Sequence, residues 1–214
     1  MTTQPPRCHG HVLVLDDAAV VRRVLSERLG RAHVSATCVC RNEEALGVLL
    51  RAAKNAPPVD ALVQDHERPV GGDGTRMLKV MRRMYADRCM SGTGVRLRAV
   101  PVLVLSGEPG SCGPVLRAVD ATVRVMPKHS SDRVLWAALG EMWAELRDRL
   151  VASAAEAGAR VCRSPHGWVV DTGDTIDTPY FYGEAVLLEA TLGRLERCVS
   201  GLQEVIADRP VAAR

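Results

Sequence analysis

Five times along residues 11–157, a short apolar run is followed by a stretch with helical spacing. His11-Val-Leu-Val-Leu15 is strand-sized and ends at Asp16-Asp17. Val20 to Leu29 repeats its apolar positions at helical intervals and stops at Gly30, a residue that ends helices readily. Val34 to Cys40 reads as a second strand, and Asn42 to Leu50 as an amphipathic helix capped by Asn42. Pro57-Pro58 breaks the chain before a third strand, Val59 to Val63, which leads to Asp65. Residues 66–75 are turn-rich, with Pro69, Gly71, Gly72 and Gly74, and a helix follows from Met77 to Met84. A polar, arginine-bearing loop covers 87–98. Val100 to Leu105 is a fourth strand ending at Ser106, Cys112 to Val119 a short helix, and Thr122 to Met126 a fifth strand before Pro127-Lys128. This alternation predicts an open parallel α/β sheet with helices on both faces. Functional side chains of such sheets gather beyond the carboxyl ends of the strands. Asp16, Asp17, Asp65, Ser106 and Lys128 all stand at such ends.

Beyond residue 130 the pattern turns to long helices. Ser130 and Ser131 are cap candidates for a helix from Asp132 to about Ala157, roughly 40 Å at 1.5 Å per residue. One face carries Trp136, Leu139, Trp143, Leu146 and Leu150, and a second carries Leu135, Ala138 and Met142. The expectation is that one side packs on the sheet while the other is offered to a partner. Ala159 to Pro179 reads as a short hairpin around Ser164-Pro165-His166-Gly167. Its Asp171-Thr172-Gly173 reads as a turn, because aspartic-protease chemistry needs two such loops sharing one proton. From Gly183 to Asp208, Leu188, Leu192, Leu195, Val199, Leu202 and Ile206 follow a heptad seam. That seam predicts a coiled-coil-like helical hairpin that also forms a dimer or partner interface.

Composition changes this picture in one respect. The net charge of +3 conceals a split: residues 1–129 hold 19 Lys and Arg against 12 Asp and Glu, whereas 130–214 hold 9 against 13. Six of the seven aromatic residues also lie beyond residue 130, and they mark a candidate contact surface. The acidic second half disfavours nucleic acid, which demands a basic footprint. No apolar run is long enough for a membrane span, the start carries no secretory pattern, and the seven Cys show no disulfide or zinc spacing. Buried free thiols and a cytoplasmic location are the expectation. Arg82, Arg83, Arg88, Arg96 and Arg98 read as a solvated face.

Asp16, Asp17 and Asp65 come from two strands that can be sheet neighbours. Converging carboxylates repel unless a cation joins them, and hard oxygen donors suit Mg²⁺. A carboxylate beside such a metal can accept a phosphoryl group. Lys128 would add a point-like cation and Ser106 a hydroxyl.

The ordered pieces V-L-V-L-D-D-x4-R (Val12 to Arg22), E-E-A-L (Glu43 to Leu46), L-V-Q-D-x3-P (Leu62 to Pro69), P-V-L-V-L-S-G (Pro101 to Gly107) and V-R-V-M-P-K (Val123 to Lys128) resemble the receiver domain of two-component response regulators, the CheY-like family. The resemblance covers roughly residues 9–149. It implies a flavodoxin-like, doubly wound five-stranded parallel sheet, here followed by a mainly helical extension with a short β-hairpin. The expected division is a tail over 1–8, a receiver over 9–130 and an output or dimerisation region over 131–214. The resemblance implies a bacterial signalling protein, not an enzyme beyond its own phosphorylation and dephosphorylation. It makes Asp65 the phosphoacceptor and gives Mg²⁺ to Asp16, Asp17, Asp65 and the His66 carbonyl. Ser106 becomes the switch hydroxyl and Lys128 the contact to the phosphoryl group. The implied partners are a histidine kinase or phosphorelay protein, with a homodimer or an effector protein bound through the C-terminal helices. The alternatives are a pseudo-receiver scaffold that works without phosphorylation and a DNA-binding transcriptional regulator.

The sequence departs from the family pattern at several points. The turn after Asp65 is one residue longer before Gly74, His129 rather than Pro follows Lys128, and Val125 stands where the family often has an aromatic switch residue. Glu67 and Glu108, each two residues beyond a site residue, are both expected to face the pocket. Their charges predict slow or weak phosphorylation.

Overall fold

A computed structural model describes residues 10–52, 58–67, 74–89, 100–156, 158–171 and 179–208, with side chains at 84–89 and 179–185 left out. The expectations for the tail over 1–8, for Pro69, Gly71 and Gly72, for Arg88, Arg96 and Arg98, and for Thr172-Gly173 fall outside that description. The strands β1 (Gly10–Leu15), β2 (Val34–Val39), β3 (Ala61–Asp65), β4 (Val102–Ser106) and β5 (Arg124–Pro127) form one parallel sheet in the order β2-β1-β3-β4-β5. The doubly wound sheet expected from the sequence is therefore present. β3 and β4 are buried throughout, which is why they read as continuous apolar runs.

Alternate strand residues feed two separate cores. Val12, Val14, Ala61, Val63, Leu103 and Leu105 point to one face, against α1 (Ala19–Gly30), α5 (Asp132–Glu156) and α6 (Pro179–Asp208). Leu13, Leu15, Leu62, Val102 and Val104 point to the other, against α2 (Asn42–Ala52), α3 (Gly74–Cys89) and α4 (Pro109–Val119). The period-two split of strand side chains makes both faces apolar without lengthening either strand.

Helix ends differ in detail from the expectation. Gly30 lies inside α1, and the left-handed residue that turns the chain is His33, at φ 56°. Ser131 does cap α5, accepting the Val134 N–H at 3.4 Å. Arg28 donates to Asp132 at 2.7 Å and to the Ser130 carbonyl at 2.6 Å, so the end of α1 is tied to the start of α5.

One correction concerns the extension. Trp136 and Trp143 do not form an outward contact surface; they are 1% and 0% exposed. Their indole N–H groups donate to the carbonyls of Arg28 at 3.1 Å and Asp60 at 2.8 Å. Both apolar faces of α5 are buried, because α6 folds back and covers the side that the sheet leaves free. The helical hairpin expected from the heptad seam is present, and its seam is spent within the chain. Leu192, Leu195, Val199 and Leu202 are buried in the same core as α5, α1 and the sheet, so this seam is not open to a second copy. The hairpin is present as β6 (Arg160–Ser164) and β7 (Gly167–Asp171), paired antiparallel with Pro165-His166 at the turn. The thiols are corrected too: Cys112 and Cys198 are buried, but Cys38 and Cys162 are exposed. No helix among the described residues is long and apolar enough to cross a membrane.

Candidate functional site

The switch point of this sheet lies between β1 and β3, where successive connections leave in opposite directions. Leu15 pairs with Gln64, so Asp16 and Asp65 emerge side by side. Asp65 pairs with Leu105 and Ser106 with Pro127, which brings Ser106 and Lys128 alongside on the other flank. Backbone bonds extend the ladders past the strand ends: the His66 N–H donates to the Leu105 carbonyl and the Lys128 N–H to the Ser106 carbonyl, both at 3.0 Å. The strand register therefore brings together four of the side chains singled out from sequence, and the loop after β1 adds Asp17.

One carboxylate oxygen each of Asp16, Asp17 and Asp65 lies within 4.8 Å of the others. Asp16 and Asp65 are buried and Asp17 is partly exposed. The Ala18 N–H donates to Asp16 Oδ1 at 2.8 Å, which fixes that side chain. The Arg22 guanidinium reaches back to the carbonyls of Asp16 at 2.7 Å and Asp17 at 2.9 Å, holding the loop that carries both acids. Burial pushes the Asp16 carboxyl above the usual range; the Ala18 hydrogen bond opposes this and the Asp65 charge adds to it. A cluster of this kind accumulates negative charge that a cation relieves.

Lys128 supplies one such cation. Its ammonium lies 2.7 Å from Asp65 Oδ1 and 3.6 Å from Glu67 Oε2. Burial alone would lower the Lys128 pKa, but the hydrogen bond and charge of Asp65, helped by Glu67 and Asp16, raise it. Asp65 Oδ1 also accepts the Glu67 N–H at 3.1 Å. The Ser106 hydroxyl, fully buried, donates to Glu67 Oε1 at 3.1 Å and accepts the Glu108 N–H at 3.0 Å. That hydroxyl bond, ahead of the slight burial that opposes it and the Lys128 charge that supports it, holds the Glu67 carboxyl below its usual range.

Of the two glutamates expected at the pocket, only Glu67 reaches it. Glu108 is exposed and turns to Ser111, whose hydroxyl donates to its carboxylate at 3.3 Å and to its carbonyl at 2.9 Å. The His66 carbonyl accepts the Gly74 N–H at 3.2 Å, so one lone pair is already engaged. Val125 is half-buried on β5, and His129 is exposed.

A second polar cluster, at the opposite end of the sheet, carries no signal in the sequence. Asp60 is 4% exposed, and its Oδ1 accepts from Arg194 of α6 at 2.6 Å while its Oδ2 accepts the His11 N–H at 2.9 Å. The partner is 134 residues away, a separation that no local pattern reveals.

No family model matches the chain, and no curated protein does. Solved structures do. A sensor protein from Polaromonas sp. JS666 superposes with a TM-score of 0.52 at 17% identity, over 64% of this chain and 98% of that one. The signal receiver domain of an HD domain-containing protein from Pseudomonas fluorescens Pf-5 gives a TM-score of 0.52 at 16% identity, over 70% of this chain and 97% of that one. The receiver domain of a sensor histidine kinase from Pseudomonas aeruginosa PAO1, solved with a magnesium ion in its active-site cleft, gives 0.48 at 18% identity, over 62% of this chain and 96% of that one. The chain has the fold of a receiver domain, with a C-terminal extension beyond the matched share.

Proposed function

We propose that this chain is a response-regulator-like signalling protein that accepts a phosphoryl group on Asp65 with the help of Mg²⁺. The observation that carries this reading is a buried carboxylate shared between an acidic cluster and a lysine ammonium, at the switch point of a receiver fold. Three hard oxygen donors within reach of one another fit Mg²⁺, which takes few protein ligands and shares the rest with water and phosphate. Asp16, Asp17 and Asp65 would hold it; the His66 carbonyl joins the set only through its second lone pair. Bound there, the ion would neutralise charge that develops on a transferring phosphoryl group.

The chain's own residues do the rest. Both contacts of Asp65 fall on Oδ1, so Oδ2 is the nucleophile. An ionised carboxylate needs no base. Oδ2 bonds to the donor's phosphorus, the bond from phosphorus to the donor's leaving group breaks, and that group departs with the electron pair. Lys128 holds Asp65 in place and offers its charge to the phosphoryl oxygens. The donor is a histidine kinase or a phosphorelay protein, and the protein works in the cytoplasm without nucleic acid or membrane. Output is contact with an effector protein or a second copy, through outward faces of α5 and α6 rather than their buried seam. Residues 9–130 act as the receiver and 131–214 as the output region. Intact mass after incubation with a small-molecule phosphodonor tests the reading. A gain of one phosphoryl group that needs Mg²⁺ and disappears in Asp65→Asn supports it. No gain in either chain leaves a scaffold that works without phosphorylation.

A further inference from the structure

The Ser106 hydroxyl has one proton, and that proton is already given to Glu67. Its acceptor side is occupied by the Glu108 N–H. Lys128 is divided between Asp65 and Glu67. The two groups that would receive phosphoryl oxygens on Asp65 are therefore both engaged by a carboxylate two residues along the chain. Gly107 makes room for this: a Cβ there would lie 3.3 Å from Glu67 Oε2, tighter than a methyl group normally sits. Glu67 is not locked in, because nearly half its side-chain surface is open to water.

We propose that Glu67 is a built-in occupant of the phosphoryl site: its carboxylate takes the Ser106 and Lys128 contacts and must leave them before Asp65 can carry a phosphoryl group. The inference rests on the phosphoacceptor reading of Asp65 and adds what limits that step. Two anions cannot share one hydroxyl proton, and a phosphoryl group beside Glu67 would face a like charge. Transfer thus requires the Glu67 side chain to swing into solvent, where its charge is fully hydrated. The Ser106 hydroxyl is then free to turn toward the new oxygen, while the chemical step on Asp65 is unchanged. Glu67 is a rate-setting residue for this site, and it gives the unphosphorylated chain a Ser106 that is already held by an anion.

The test is the rate of phosphorylation of the full-length chain by acetyl phosphate with Mg²⁺, followed by intact mass. Wild type is compared with Glu67→Ala, Glu67→Gln, Asp65→Asn and Glu67→Ala/Asp65→Asn. Glu67 is exposed, so its truncation leaves no cavity in the core, and circular dichroism of each variant verifies that the fold is kept. Glu67→Ala is expected to react about tenfold faster than wild type, the scale set by giving up one hydrogen bond to a charged acceptor. Glu67→Gln, which keeps an acceptor for Ser106 but drops the charge facing Lys128, is expected in between. The double variant should stay silent. Equal rates in wild type and Glu67→Ala, both abolished by Asp65→Asn, overturn the role of Glu67 and leave the phosphoacceptor reading standing. No mass gain in any variant overturns both.

Discussion

Asp16 is a buried carboxylate held next to two others, and its raised pKa gives that arrangement a measurable sign. A carboxyl whose folded pKa lies above its unfolded value binds protons more tightly in the folded state. The folded chain then loses stability as pH rises from the unfolded value through the folded one, and the cost is complete above that window. Asp16→Asn should therefore stabilise the metal-free chain at pH 7 and make no difference below pH 3, as read by urea melts in a chelator. Asn keeps an oxygen for the Ala18 N–H, so the loop survives the change. Adding Mg²⁺ should raise the melting temperature of wild type more than that of the variant, since the variant holds one carboxylate fewer for the ion. The acids themselves are legible in the sequence, because each closes an apolar run. The Glu67–Ser106 contact is only half legible. Spacing puts both Glu67 and Glu108 near the pocket, but the turn that carries Glu108 into α4 sends its side chain to Ser111.

Among the elements, α6 meets the expectation of a helical hairpin drawn from sequence. Its seam has the spacing of a paired helix, and that spacing is correct; what spacing leaves open is the identity of the partner. The partner is α5 together with the sheet, and Leu195 at 1% exposure lies in the shared core. Leu195→Ala is expected to destabilise the folded chain by about 2–5 kcal/mol, the usual cost of truncating a buried leucine. An interface leucine would instead lower the oligomeric mass and leave the melt unchanged. Arg194 anchors the same helix through Asp60. Arg194→Met leaves that buried carboxylate without its cation; since Arg194 is about a third exposed, the cost is set at about 2–3 kcal/mol, near the low end for a broken buried pair. Urea melts of each single variant read both values. The parallel sheet, by contrast, follows from the alternation of short apolar runs and helices, while its order β2-β1-β3-β4-β5 is what the resemblance to a receiver domain implies.

At the scale of the whole molecule, the basic first half and acidic second half are not two bodies joined by a linker. Val12, Leu29, Trp143, Leu195 and Leu202 belong to one continuous core, and the Asp60–Arg194 pair sits at its edge. The extension should therefore unfold with the sheet in one transition, seen as coincident urea curves from tryptophan fluorescence and far-ultraviolet circular dichroism. The charge split is visible in the sequence, but the aromatic residues concentrated in the second half include Trp136 and Trp143, which serve this core and not a contact surface. What the molecule then presents at the carboxyl end of its sheet is a carboxylate set against a lysine, with an acidic cluster on its other side. The most direct test of that arrangement locates the modified atom. An aspartyl phosphate is reduced by borohydride to homoserine, whereas other carboxylates are untouched. Peptide mass spectrometry of the phosphorylated, reduced chain should find homoserine at position 65 and at no other acidic residue. Homoserine elsewhere, or none after full reduction, would contradict the account.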